Sequence, residues 1–173
     1  MLTTNIRIVT SRFQLRPLDL EDVTDRYVGW MKNEATRGYI ATASSSVDIN
    51  SIQQYVYERS NREDIIFLGI FEKNSKLHIG NIKFEPVDSR SGFAVMGILV
   101  GEPEWRGKGV AVEVLRATAV WLRQYRNIRK IVLGVSCTNT QAIRAYRKAG
   151  FVEQSTELIP AVSPSSVTMV WEL

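Results

Sequence analysis

The stretch Met96-Gly97-Ile98-Leu99-Val100-Gly101-Glu102-Pro103-Glu104-Trp105-Arg106-Gly107-Lys108-Gly109-Val110-Ala111 decides how this chain is read. An apolar run ends, a turn with two glycines follows, and an amphipathic stretch starts at once. Gly107 and Gly109 carry no Cβ, so the backbone can bend sharply and approach a ligand closely. The first N–H groups of a helix lack partners inside it and carry partial positive charge. A pyrophosphate is a natural occupant of such a place. Arg106 and Lys108 add positive charge there. Two familiar phosphate loops do not fit. The Walker pattern needs Ser or Thr after its lysine, but Gly109 follows Lys108. The dinucleotide pattern needs three spaced glycines early in a βαβ unit. Read alone, the turn is either a phosphate site or simply the start of a helix.

Outward from this turn, Phe93 to Val100 reads as an apolar strand buried on both faces. Pro103 argues against helix in the exit from it. A helix is expected from Val110 to Tyr125, with Val110, Val114, Leu115, Leu122 and Tyr125 as its apolar stripe. Ile131 to Val135 reads as a strand, and Thr138 to Ala149 as a helix ended by Gly150. Strands are expected from Phe151 to Leu158 and from Val167 to Leu173. Upstream, Arg12 to Arg16 reads as a first strand stopped by Pro17. Asp19 is placed to cap a helix running to Lys32, with Val23, Tyr27, Trp30 and Met31 facing inward. Ala41 to Val47 reads as a loop. Asp48 begins a second helix with Ile52, Tyr55 and Val56 buried. Ile65 to Phe71 and Leu77 to Phe84 read as a hairpin. The layout is α/β with a mixed sheet. Strand–helix–strand units favour parallel pairing late in the chain, and the hairpin demands antiparallel pairing early.

The chain has 173 residues, 45% hydrophobic and 23% charged. That is an ordinary globular composition and fits one domain, residues 1–173. The single cysteine, Cys137, excludes an internal disulfide and any cysteine-based zinc site, and no metal is expected. No stretch approaches the roughly 20 apolar residues that span a bilayer, so a cytoplasmic protein without membrane partners is expected. The net charge of +4 suits an anionic ligand or a plain basic surface. The basic residues are dispersed and not interleaved with aromatics, which argues against nucleic acid.

The pattern Arg106-x-x-Gly109-x-Ala111, after an apolar strand and opening an amphipathic helix, resembles the acetyl-CoA signature of the GNAT superfamily of N-acetyltransferases. The run from Asn139 through Tyr146 to Gly150-Phe151 resembles that family's second cofactor segment. Two such segments in the expected order are more specific than either alone. Leu15-Arg16-Pro17-Leu18, Tyr27 to Asn33 and Leu77 to Ile82 resemble the ribosomal-protein-acetyltransferase-like branch. The resemblance implies a central mixed sheet of about six or seven strands flanked by about four helices.

It also implies acetyl-CoA as cofactor and direct acetyl transfer to an amine. The exposed backbone of Ile98, Leu99 and Val100 would pair with the pantetheine arm. Arg106, Gly107, Lys108, Gly109, Val110 and Ala111 would hold the pyrophosphate, and Asn139 the cofactor arm. Tyr146 would protonate the departing thiolate, unless it is only a core aromatic. Trp30, Asn33 and Arg37 lie where relatives place the acceptor, although a core Trp and a solvated helix end read equally well. Phe93 to Val100 lacks the carboxylate that many relatives use as base. Glu102 is expected to face the turn and solvent, and Glu85 and Asp88 are candidates by position alone. Deprotonation through water, through a residue of the first helices, or before binding is therefore expected. His78, the only histidine, reads as structural or surface-facing. The acceptor expected is a small amine such as a nucleotide-linked amino sugar. The alternatives are a protein N-terminus, or a non-catalytic acetyl-CoA-binding regulatory module. Either a monomer or a homodimer fits.

Overall fold

A computed structural model describes residues 6–32, 47–60, 62–160 and 164–173. Eight strands form one sheet: β1 (Ile8–Val9), β2 (Phe13–Pro17), β3 (Ile66–Glu72), β4 (His78–Asp88), β5 (Phe93–Val100), β6 (Lys130–Ser136), β7 (Val152–Glu153) and β8 (Ser166–Glu172). Their order is β1-β2-β3-β4-β5-β6-β8-β7. Every neighbouring pair is antiparallel except β5 and β6, which are parallel. The four described α-helices are α1 (Asp25–Lys32), α2 (Ile49–Arg59), α3 (Val110–Arg126) and α4 (Thr140–Ala149). The expected mixed sheet is present, with the two-residue β1 as an additional edge.

Local chemistry sets the helix ends. Asp19 caps a 3₁₀ turn, Leu20–Asp22, by accepting from Glu21 N and Asp22 N. The expected single first helix is therefore split, and α1 starts only at Asp25. Asp48 and Ser51 form a reciprocal capping box at the start of α2. The side chain of Asn139 caps α4 by accepting from Ala142 N at 3.1 Å, so Thr138 stays outside the helix. Asn127, at φ +53°, closes α3 in a left-handed turn.

Helices cover both faces of the sheet. One core lies between the sheet and α3 and α4, where Phe13, Leu15, Ile82, Phe84, Val114, Leu115, Leu122 and Phe151 are buried. A smaller core under α1 and α2 holds Leu18, Tyr27, Trp30, Ile52, Val56 and Phe71. Burying such side chains contributes about 1.5–3 kcal/mol each before entropy is charged against it.

Four expectations need correction. Tyr125 is half-exposed, because its place on α3 lies past the edge of the buried stripe and its ring rests on Trp121. Pro103–Trp105 is a 3₁₀ turn, since proline is tolerated in the first turn of a helix. The strand after Phe151 stops at Glu153, and a last bond from Gln154 N to Thr168 O ends its pairing with β8. β5 is not buried on both faces. Gly97 is exposed, and Ile98, Leu99 and Val100 are only half-buried.

Candidate active site

The exposure of β5 has a clear cause. It pairs with β6 only through Phe93–Lys130, Ala94–Ile131 and Val95–Val132. Beyond Val95 the two strands part, while β5 stays paired with β4 as far as Val100–Gly80. Among the described residues, the β6-facing edge of Gly97 to Val100 has no strand neighbour. The gap opens into a cleft of about 1100 Å³. It is lined by Met96–Val100, the turn after Trp105, the start of α3, Gly134–Ser136, and one side of α4.

At one end of the cleft sits the glycine turn. Gly107 has φ +72° and Gly109 φ +75°, a left-handed backbone that residues with a Cβ adopt only with strain. The first intrahelical bond of α3 runs from Glu113 N to Gly109 O. The N–H groups of Val110, Ala111 and Val112 therefore have no partner inside the helix, and no side chain caps them. A helix end with its first N–H groups unpaired in this way suits an anion.

Not every residue of the turn faces that end. Arg106 donates from Nε to Val100 O and from Nη2 to Gly101 O, both at 3.0 Å. Its guanidinium fastens the end of β5 to the turn. Lys108 is exposed, does not line the cleft, and has its Nζ 5.8 Å from the centre of the Trp105 ring. Behind the turn, the Glu113 carboxylate accepts from Thr10 Oγ1 at 2.7 Å, Ser11 Oγ at 3.2 Å, Arg12 N at 2.9 Å and Arg12 Nε at 2.7 Å. Burial would raise this carboxyl, but Thr10 and Arg12 outweigh it and bring it down to about 2. The first turn of α3 is thereby tied to the β1–β2 hairpin. The sequence reading missed this brace, because its members lie about a hundred residues apart.

On the far wall, Tyr146 is 9% exposed and lines the cleft from α4. Its hydroxyl has no hydrogen-bond partner among the described residues, and burial pushes it up to about 12. Asn139 is at the cleft with its carbonyl oxygen committed to the α4 cap. Arg144 and Lys148 also line the cleft, and among its described lining residues there is no carboxylate and no histidine. The sequence reading passed over Gln141, Arg144 and Lys148. Their spacing along α4 puts them on one polar face, and that spacing was the available signal.

The remaining expectations fall elsewhere. Trp30 is 5% exposed and packs against Gly101, where a Cβ would lie 2.0 Å from Trp30 Cδ2. Its Nε1 donates to Glu102 Oε1 at 2.9 Å. Glu102 thus turns toward α1 and is mostly buried, rather than facing the turn and solvent, because the indole offers it a donor. Asn33 and Arg37 lie outside the described residues. His78 is stacked on Phe71, with Trp30 and Tyr27 against its edges, and burial lowers its basicity. Burial alone would raise the Glu85 carboxyl, but Lys83 at 2.7 Å and Arg59 at 3.1 Å hold it below its ordinary value. Asp88 accepts from the N–H groups of Arg90 and Ser91 in the β4–β5 turn. Among the described residues no group of His, Cys, Asp and Glu could hold a metal ion. No described helix is long and apolar enough to cross a membrane.

Residues 12–152 match the family described as the acetyltransferase (GNAT) domain. The chain belongs to this family. The acetyltransferase is 23% identical over 162 residues to the N-acetyltransferase 9-like protein of Caenorhabditis elegans, covering 85% of this chain and 78% of that one. It is 26% identical over 142 residues to the spermidine N(1)-acetyltransferase of Escherichia coli K12, covering 80% and 72%. Its fold is similar to that of the spermidine N-acetyltransferase from Vibrio cholerae, solved in complex with CoA and spermine. There the TM-score is 0.78 at 20% identity, over 94% of this chain and 96% of that one. Acetyl-CoA is the acetyl donor that goes with this family. The cleft fits such a group, with free N–H donors for phosphates at the start of α3, an unpaired strand edge for an amide-bearing arm, and cations on the opposite wall.

Proposed function

We propose that this acetyltransferase moves an acetyl group to the primary amine of a small molecule, such as a nucleotide-linked amino sugar, by direct attack. The observation that carries the reading is the cleft where β5 parts from β6, with Tyr146 on its wall and the free N–H groups of α3 at its end. Bound acetyl-CoA would supply an activated acyl thioester there.

The chain's own groups then divide the work. The backbone of Ile98, Leu99 and Val100 offers an unpaired strand edge to the pantetheine arm. The N–H groups from Gly107 to Val112 receive the pyrophosphate. Arg106 positions the turn through the β5 carbonyls rather than by direct contact, and Lys108 adds charge from outside the cleft. Asn139 presents its amide Nδ2 toward the arm. Tyr146 stays protonated at any ordinary pH, so it can donate a proton to a departing thiolate. Among the described lining residues there is no carboxylate or histidine, and the Glu85 carboxylate is tied up by Lys83 and Arg59. We take the amine's proton to leave through water, and a residue of the first helices or loss before binding are the other routes. Trp30 supports the acceptor side from the core without touching the acceptor.

The likeness of the first half to the ribosomal-protein-acetyltransferase-like branch supports an α1–α2 face that meets the acceptor. We place the protein in the cytoplasm as one N-acetyltransferase domain. The test is free-thiol release from acetyl-CoA with a panel of amines and N-terminal peptides. Turnover with a small amine supports the proposal. Transfer only to peptide N-termini would replace it with action on proteins.

A further inference from the structure

On the side of the sheet away from α3 and α4, the ion pairs of Glu85 belong to a larger polar cluster. Lys83 on β4 donates from Nζ to Tyr55 Oη at 2.6 Å and pairs with Glu85 Oε2 at 2.7 Å. Arg59 donates from Nε to the same Glu85 oxygen at 3.1 Å, and its guanidinium lies 3.6 Å from the centre of the Tyr55 ring. The Tyr55 ring packs edge-on against Phe67 of β3. The side chains of Lys83 and Glu85 are one-quarter exposed and that of Arg59 less. The cluster is fixed in place yet reachable.

Its position ties it to the cleft. Lys83 is directly opposite Gly97 in the β4–β5 ladder, so both face the same side of the sheet. Gly97 also lines the cleft and lies just past the last β5–β6 pair, Val95–Val132. No described residue lies within 4 Å of where a Gly97 Cβ would be. The parted strands thus bring a group in the cleft and a molecule beside Lys83 together at Gly97.

The hydrogen-bond inventory says what that molecule carries. An ammonium has three donors, and two of those on Lys83 are engaged. Tyr55 accepts from Lys83, which leaves its own O–H to donate. Arg59 uses Nε on Glu85 and Nη1 on Tyr55 O, which leaves Nη2. The third Lys83 N–H, the Tyr55 O–H and the Nη2 group of Arg59 remain to donate; Glu85 is shared between the two cations, and the exposed Glu58 carboxylate lies 3.8 Å from Arg59 Nη1. Such a surface offers an anionic oxygen group charge-assisted hydrogen bonds from both cations.

We infer that Lys83, Tyr55 and Arg59 form the subsite that binds an anionic group, phosphate or carboxylate, on the amine-bearing acceptor. The inference rests on the transferase reading above and sharpens its substrate class. It separates this protein from the spermidine acetyltransferases it resembles, whose named substrate is a polycation.

The test measures thiol release by the full chain with glucosamine, glucosamine 6-phosphate, glucosaminate and spermidine, beside acetyl-CoA binding by calorimetry. The wild type is expected to favour an anionic amine over glucosamine by about tenfold in kcat/KM, through KM. The phosphate and carboxylate arms show which anion is preferred. Lys83→Glu should erase that preference and move the enzyme toward spermidine, with acetyl-CoA affinity unchanged. Tyr55→Phe keeps the ring against Phe67 and Arg59 and should weaken the preference severalfold at an unaltered Tm, so the idea stays testable should Lys83→Glu fail to fold. Equal use of all amines, preference for spermidine, or an anion preference that survives both variants overturns the subsite but leaves the transferase reading standing. Intact acetyl-CoA binding without transfer to any amine removes the transferase reading, and the subsite with it.

Discussion

Arg106 holds the backbone of Val100, donating from Nε to its carbonyl at 3.0 Å, and reaches Gly101 O with Nη2 at the same distance. One planar fork therefore fixes where the free edge of β5 ends and where the glycine turn begins. Lysine carries the same charge but lacks the rigid fork. Arg106→Lys is expected to lower stability by about 1–2 kcal/mol and to weaken acetyl-CoA binding at the same time. Urea unfolding and calorimetry check this. Full retention of both by the lysine variant would show that charge alone matters at this position.

Tyr146 is the proposed acid, and its hydroxyl lies far above its ordinary range. It remains protonated until the pH nears 12, so its own ionisation adds no alkaline fall to kcat in the usual assay range. Tyr146→Phe keeps the ring among its neighbours and is expected to cut kcat about 10²-fold, with little change in KM for acetyl-CoA or in Tm. A variant with wild-type kcat would return Tyr146 to the role of a core aromatic.

Glu113 couples the first turn of α3 to Thr10 and Arg12. Its folded value, about 2, lies below its ordinary 4.5. The stabilisation it gives is therefore complete above about pH 4.5 and fades as the pH falls toward 2. Glu113→Gln should be less stable than the wild type at pH 7 by about 1–2 kcal/mol, allowing for solvent screening of a group at the surface. That gap should close as the pH falls from about 4.5 toward 2 in paired thermal melts. A gap independent of pH would mean that the carboxylate charge contributes nothing.

How far this site could be read beforehand depended on range along the chain. The glycine turn, the capped helix starts and the alternation of the β-hairpin are local patterns, and the sequence carries them openly. The parting of β5 from β6 is not local. It follows from β5 remaining on β4 while β6 turns toward β8, and only the assembled sheet displays it. Charge at Arg106 was visible too, but its target was not, because a guanidinium near a glycine turn can face a phosphate or a carbonyl. Glu102 was misplaced for the same reason. Its partner, Trp30, lies 72 residues away.

Trp30 offers a direct check on that distinction. It fills the space over Gly101 and donates to Glu102. Trp30→Phe leaves a smaller ring and an undonated carboxylate, and should cost about 2 kcal/mol or more in stability. The KM for the acceptor, measured well below the melting range, should change little. A large rise in KM at unaltered stability would place Trp30 at the acceptor instead.

Acetyl-CoA is proposed to lie in the β5–β6 cleft with its phosphates on the N-terminus of α3. Calorimetric titration of acetyl-CoA into wild type and Gly109→Trp tests it most directly, with thermal melts confirming that both are folded. The account predicts one site on the wild type and a loss of affinity of at least about tenfold in the variant, since an indole at this left-handed turn would cover the free N–H groups. Equal affinity in a folded Gly109→Trp, or no binding by the wild type, would contradict it.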